Sequence, residues 1–437
     1  MKVNLKGFLT KINFIVTSVI LLLYFAIRFK IRFLQDFPSG DETSFLRMFN
    51  FYLKNGYSEA LSKGNSIVFN LMASFFNLFT DNELMSLRLT SLFFGVLAFL
   101  MVLKIQRTFF PLNKSYFLLT IITSLNTLIV SSVILSGIND TILYFLITVF
   151  IFYVLKFHRD KKVTISSLII GIIIGFMFLT RKISITFLPS ILLILLLLYH
   201  NLKITLIPKL KSLGIIFIVS IATLVLFNLP NLIDGKGISF HEKKLDSEIN
   251  WKQLQYLSAI KNSQGKVIYG QHVTIGEVKH YIKKNGNESL PKDSQVSSIF
   301  FDFSFTIKQF FKNIPLQIIP ITRLSGLLLL FLLLGAFLTA QKEGFKLSNI
   351  KKEYITLFLL SYILAMCFIV ISYIEPRWYV GALILLPLPT YSIMQKHILR
   401  TKRKELLNFL LINAQLSLII MMNTSYILAN YKYLLQL

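Results

Sequence analysis

The sequence predicts an all-α polytopic membrane protein, with about eleven transmembrane helices and amphipathic helices on its outer face. Three observations carry this. Hydrophobic residues make up 54% of the 437, and the mean hydropathy is positive. Runs such as Phe14 to Ile27, Leu89 to Leu103 and Leu324 to Ala340 hold few or no charges, and roughly 20 apolar residues in a helix cross ~30 Å of hydrocarbon. The 46 Lys and Arg outnumber the 20 Asp and Glu and cluster in the short loops between apolar runs. That is the positive-inside pattern, so the formal charge of +26 points to a membrane rather than to nucleic acid.

The basic loops orient the chain. They are Lys2, Lys6 and Lys11; Lys104, Arg107 and Lys114; Lys156, Arg159, Lys161 and Lys162; Lys203, Lys209 and Lys211; Lys342, Lys346, Lys351 and Lys352; and the run from Lys396 to Lys404. With these in the cytoplasm, helices are expected at about 12–30, 86–106, 115–135, 140–156, 163–180, 183–200, 211–229, 323–341, 354–373, 378–395 and 406–429. No small-residue cleavage site follows the first apolar run, so that run is expected to stay as a helix. Residues 66–79 are apolar but short for a span, and suit an interfacial helix.

Three regions follow from this topology. Residues 1–229 form a transmembrane module, expected to hold any catalytic site, with an outer loop at 31–85. Residues 230–322 form an extracytoplasmic loop. Residues 323–437 hold the C-terminal transmembrane helices. The 230–322 loop has a strand-like patch at Lys266 to Thr274 and an amphipathic stretch at 300–315. Cys367 lies inside an apolar run, which leaves no disulfide framework and no cysteine-based metal site. The six His show no ligand spacing, and His158, His200 and His397 fall in basic loops.

Carboxylates are scarce, so those beside the membrane stand out. Asp41-Glu42 follows the first helix, and Asp140 sits at the outer mouth of the third and fourth. An acid there serves as a general base or cation anchor, or simply as a solvated loop residue or helix N-cap. Arg181-Lys182 and Arg377 lie in tight outer turns, against the positive-inside trend. Such cations either snorkel to lipid headgroups or clamp a phosphate, Arg bidentately and Lys as a point charge. Arg28, Lys30 and Arg32 end the first helix on the same side. Arg88 opens the second helix, and Glu375 stands beside Arg377 as a support.

The order of these elements resembles the GT-C glycosyltransferases, of the protein O-mannosyltransferase and aminoarabinose (lipid A) transferase type. The resemblance rests on Asp41-Glu42-Thr43 after the first helix, Gly56, an interfacial helix, and Arg88-Leu89-Thr90-Ser91-Leu92-Phe93-Phe94-Gly95, with Phe93 where Leu is usual. It continues in Asn139-Asp140, in the Gly171-x-x-x-Gly175 helix ending at Thr180-Arg181-Lys182, and in Glu375-Pro376-Arg377-Trp378-Tyr379 leading to Leu386-Pro387-Leu388-Pro389. Residues 1–200 and 355–395 are covered. The family's Pro-Pro-Leu-Tyr-Tyr-Trp-like run is replaced here by Gly64-Asn65-Ser66-Ile67-Val68-Phe69-Asn70, which leaves the acceptor open.

The resemblance implies an inverting transferase in the plasma (inner) membrane, with its active site on the extracytoplasmic face. Its donor would be a polyprenyl-phosphate-linked sugar and its acceptor a lipid, glycan or protein. Asp41 would act as general base, and Glu42 and Asp140 would orient it or the acceptor. Arg181, Lys182 and Arg377 would bind the lipid phosphate, with Arg88, Glu375 and Tyr379 in support. Basic side chains can stabilise a monophosphate leaving group, so no obligatory cofactor is expected, and a divalent metal is left open. Two competing readings are a surface-polysaccharide polymerase or ligase, using His241, His272 or His280 in the large loop, and a non-catalytic flippase for lipid-linked sugars.

Overall fold

A computed structural model describes residues 5–161, 163–202, 205–239, 249–291, 295–343, 353–371, 373–398 and 402–436. We number its helices in chain order: α1 Leu5–Arg28, α2 Glu42–Ser62, α3 Ile67–Thr80, α4 Glu83–Phe109, α5 Lys114–Val130, α6 Asp140–Asp160, α7 Val163–Thr180, α8 Leu188–Asn201, α9 Leu206–Phe227, α10 Leu229–Ile233, α11 Trp251–Ser263, α12 Ile275–Asn285, α13 Gln295–Phe301, α14 Phe303–Ser325, α15 Leu328–Glu343, α16 Tyr354–Cys367, α17 Arg377–Leu383, α18 Pro387–Ile398 and α19 Lys402–Ala429. Among the described residues, seven helices are long and apolar enough to cross a membrane, or eight if the bent pair α14–α15 is one span.

The other expected spans are present as shorter helices. α5 has 17 residues and α16 has 14. The span expected at 378–395 is two helices, because Pro387 has no N–H to donate and its ring clashes with the carbonyl of Leu383. The span expected at 323–341 breaks at Gly326, where α14 and α15 meet at 104°. Side chains of α5 and α19 satisfy the backbone freed there. Asn126 Nδ2 and Thr127 Oγ1 each donate to Leu324 O at 3.0 Å. Gln415 Nε2 donates to Ser325 O at 3.0 Å, and Leu327 N donates to Gln415 Oε1 at 2.8 Å. Where water is scarce, a break in a helix needs such partners.

Helix ends sort into two groups. At one end Tyr354 Oη lies 2.9 Å from His158 Nδ1 and accepts from Asn201 Nδ2 at 3.0 Å. There too Asn113 N donates to Gln395 Oε1, and the Arg159 guanidinium lies over the Phe109 ring. Lys104, Arg107, Lys114, Lys156, Arg159 and Lys161 belong to this end. At the opposite end meet the starts of α2, α4, α6 and α17 and the end of α7. α3 lies across that second end. Ser66 Oγ, at its start, donates to Thr180 O at 2.9 Å, while Thr80 Oγ1, at its finish, lies 2.7 Å from Ser86 Oγ. Phe75, Leu78 and Phe79 remain exposed on it, as a helix lying in the interface would leave them.

Close packing sets the frame. α7 carries Gly171 and Gly175 against α9, where a Cβ at Gly171 would come within 2.8 Å of Ile216 O. Only glycine permits this approach, and Ser220 Oγ uses it to donate to Gly171 O at 3.0 Å. α14 reverses the amphipathicity of a soluble helix: Phe311, Ile318 and Ile319 are exposed, whereas Gln309, Asn313 and Gln317 are buried. The described part of 230–322 is helical too. The Lys266 to Thr274 patch is turn and irregular chain rather than a strand. Its polar groups find tertiary partners instead of a ladder, with Val273 N donating to Ser258 Oγ at 3.1 Å and Tyr269 Oη accepting from Ile374 N at 2.8 Å. α11 and α12 close a small core of Leu254, Tyr256, Leu257, Val273 and Val278, and Val370 joins it. This core seats the outer helices over the second end of the bundle.

Candidate active site

The segment from Phe33 to Glu42 has little hydrogen bonding of its own, and one arginine organises it. Arg88, in the second turn of α4, is buried and uses all five of its N–H donors. Nε and Nη2 donate to Glu42 Oε1 and Oε2 at 2.8 and 2.9 Å. Nη1 donates to Phe33 O at 2.9 Å and Gln35 O at 2.5 Å, and Nη2 also donates to Phe37 O at 3.1 Å. Glu42 is equally engaged, accepting from Gly137 N at 2.8 Å and Ser39 N at 3.1 Å. The pair fixes the loop that carries Asp41, ties it to the start of α6, and leaves Glu42 buried at 1% exposure.

Asp41 therefore enters the site from a rigid turn. Its side chain keeps 28% exposure, and its carboxylate accepts from Arg377 Nη2 at 2.5 Å. Arg377 opens α17. Its backbone carbonyl accepts from Tyr144 Oη at 2.7 Å, and the next carbonyl, of Trp378, accepts from Tyr362 Oη at 2.7 Å. The Arg377 guanidinium also pairs with Glu375 and reaches Asp140 Oδ2 at 3.9 Å. Asp140, 2% exposed, pairs with Arg181. It is the first residue of α6, and Asn139 takes the N-cap position. Asn139 Nδ2 donates to Thr180 O at 2.6 Å, which joins the start of α6 to the end of α7 just before Arg181.

Three carboxylates and two guanidiniums thus form one cluster. Burial and the neighbouring charge of Arg377 push Arg181 down to about 10, against the pull of Glu375 and Asp41. Burial works against the charge on Arg377 as well, but Glu375 and Asp41 outweigh it and hold its pKa above the usual arginine value.

Two chambers flank this cluster. One, of about 190 Å³, is lined by Asp41, Arg181, Glu375 and Arg377 with Trp251 and Lys252 of the outer segment. The other, of about 430 Å³, is lined by Asp41, Glu375 and Arg377 with Arg32, Ser132 and Ser136. Asp41, Tyr373, Glu375 and Arg377 line both. A third cavity, a groove of about 640 Å³ between α1, α14 and α19, includes Val130, adjacent in sequence to Ser131 of the second chamber. Exposed Ile318 and Ile319 form part of its rim.

The structure brings Asp41, Asp140, Arg181, Arg377 and Glu375 together, with Glu42 and Arg88 directly behind them. Tyr379 lies elsewhere: it is fully buried, packs its ring 6.1 Å from Tyr362, and lines neither chamber. The side chain of Lys182 and all of His241 lie outside the described residues. His280 is exposed on α12, away from the chambers. Sequence pattern alone does not single out Tyr373, whose Oη donates to Glu375 Oε1 at 2.7 Å, nor Trp251 and Lys252. No group of three His, Cys, Asp or Glu side chains able to hold a metal ion occurs among the described residues.

Residues 65–227 match the family model described as dolichyl-phosphate-mannose-protein mannosyltransferase. The match runs from α3 to α9 and includes Arg88, Asp140 and Arg181. No curated protein matches the chain. With the membrane-spanning helices, the family match supports a polytopic membrane glycosyltransferase of the GT-C type, in line with the resemblance drawn from the sequence.

Proposed function

We propose that this protein moves a sugar from a polyprenyl-phosphate donor to an acceptor on the extracytoplasmic face of the plasma (inner) membrane. One observation carries the reading: Asp41 lines two adjoining chambers and is held by Arg377, which lines both as well. Transfer between two substrates needs two binding spaces that meet at one base and one phosphate-stabilising cation.

The acceptor hydroxyl gives its proton to Asp41 as its oxygen attacks the anomeric carbon. The bond from that carbon to the phosphate oxygen breaks, and its electron pair leaves with the lipid phosphate. A new glycosidic bond forms on the opposite face, with inversion. Arg181 and Arg377 receive the growing phosphate charge. Both start paired with carboxylates. A phosphate that draws Arg377 toward itself loosens its hold on Asp41, so donor binding makes Asp41 a better base. Asp140 and Glu375 hold the two guanidiniums in place. Glu42 and Arg88 position the Asp41 turn.

The test is lipid and glycan profiling of cells that lack the protein, complemented with the wild-type chain or with Asp41→Asn. Accumulation of one polyprenyl-phosphate sugar, relieved by the wild type but not by Asp41→Asn, is the expected result. Unchanged lipid-linked sugar pools in the deletion would contradict the reading.

A further inference from the structure

The chain has only two tryptophans, and both line the smaller chamber. Trp251 opens α11 in the outer segment, and Trp378 lies in the first turn of α17. Between them stand His272 and Tyr373. The ring of Trp251 lies 5.1 Å from that of His272, His272 lies 5.0 Å from Tyr373, and Tyr373 lies 6.3 Å from Trp378, nearly parallel at 28°. Four aromatic rings thus form a continuous wall built from two distant parts of the chain. Trp251, Tyr373 and Trp378 face the chamber. Tyr373 is also hydrogen bonded to Glu375, so the wall and the charged cluster hold one another.

Aromatic residues of membrane proteins usually form belts that face lipid headgroups. Three of its four rings instead line a cavity that also presents Asp41, Lys252, Gln255 and Ser44, with His272 bracing them. The combination is selective. A hydrocarbon chain needs no carboxylates, and a peptide backbone needs edge donors and acceptors rather than ring faces. A sugar ring has faces of C–H bonds, which suit the negative faces of aromatic rings, and a rim of hydroxyls, which suits carboxylates, amides and ammonium groups.

We propose that the Trp251–His272–Tyr373–Trp378 wall is the stacking platform for a sugar ring, carried either by the lipid-phosphate donor or by a carbohydrate acceptor. The inference deepens the transferase reading and rests on it. It makes Trp251 a specificity residue contributed by the outer segment.

Both tryptophans sit at the proposed platform, so intrinsic fluorescence of the purified full chain reports on it directly. Three probes are added: short-chain polyprenyl phosphate alone, the same lipid phosphate carrying hexoses, pentoses or amino sugars, and a panel of methyl glycosides and disaccharides. Retention of radiolabelled lipid is measured in parallel. A change in emission with the lipid-linked sugar but not with the bare lipid phosphate assigns the platform to the donor's sugar. A change with the soluble glycosides assigns it to a carbohydrate acceptor. In either case Trp251→Phe is expected to halve the response. Trp251→Ala should raise the KM of the affected substrate tenfold or more with kcat nearly unchanged, and Trp251→Tyr should restore most of that loss. If the lipid-linked sugar is retained yet neither sugar probe alters emission, the platform is wrong while the transferase reading stands. If no lipid-linked sugar is retained, the transferase reading fails, and a silent glycoside panel then overturns the platform as well.

Discussion

Arg377 donates to Asp41 across 336 residues of sequence and at 2.5 Å in space. This contact joins the turn before α2 to the turn before α17 at one end of the bundle, and both residues line both chambers. Lys at position 377 keeps a charge but loses the planar fork that reaches Asp41 and Glu375 together. Transfer by Arg377→Lys is expected to fall on the order of 10²-fold, measured as turnover of the accumulated lipid-linked sugar in isolated membranes.

Behind the cluster, Glu42 and Arg88 form a buried pair whose partners are all internal. Removing one member leaves a buried charge alone. Arg88→Met is expected to destabilise the fold by about 3–5 kcal/mol. The Glu42→Met/Arg88→Met double variant should lose less than the sum of the two single losses. Thermal unfolding in detergent, followed for all four proteins of the cycle, checks this. Additive losses would mean the pair is not coupled.

Gly137 braces the same pair from the backbone. A Cβ there would sit 2.6 Å from Leu87 Cβ and 3.3 Å from Glu42 Oε1, on the side where Gly137 N donates to Glu42. Gly137→Ala is expected to cost about 1–3 kcal/mol through overpacking and to lower transfer by shifting the Asp41 turn. The unfolding midpoint and the transfer rate should drop together.

The outer segment carries a pH signature. Glu277 caps α12 and pairs with Lys261, and these bonds, the one to Lys261 foremost, hold its carboxyl down at about 2 against an ordinary 4.5. The folded value is depressed, so the stabilisation is fully present above about 4.5 and is lost as pH falls toward about 2. Hydrogen exchange across Trp251–Asn285, compared between wild type and Glu277→Gln, should show slower exchange in the wild type at pH 6. The two should converge as pH falls through that window. A difference that persists at pH 2 would contradict the assignment.

The competing polymerase or ligase reading gives its key role to histidines of the outer segment. His272 stands in the aromatic wall, one ring removed from Glu375. As a wall residue it should be replaceable: His272→Ala is expected to slow transfer about tenfold or less, against the general-base range of roughly 10²–10⁴ for Asp41→Asn. The rates of the two variants, measured side by side, separate the readings.

Much of this arrangement was legible in the sequence, because scarcity is informative in a membrane protein. Asp41, Asp140, Arg181 and Arg377 stood out as charges between apolar runs, and the helices that carry them deliver them to one end of the bundle. The bond between Glu42 and Arg88 was not legible, since no periodicity relates a loop carboxylate to a helix arginine 46 residues on. Tyr379 lines neither chamber because a short helix beginning at Arg377 points successive side chains in different directions, Arg377 to the cluster and Tyr379 into the core. The aromatic wall leaves one faint signal, a chain with two tryptophans in distant segments that no sequence pattern joins.

Asp41 carries the proposed proton transfer. The direct measurement is the rate at which membranes holding equal amounts of folded wild-type or Asp41→Asn protein consume the lipid-linked sugar that accumulates in deletion cells. A loss on the order of 10²–10⁴-fold with the unfolding midpoint unchanged is expected. An Asp41→Asn protein that is folded, inserted in the membrane and as fast as the wild type would contradict it.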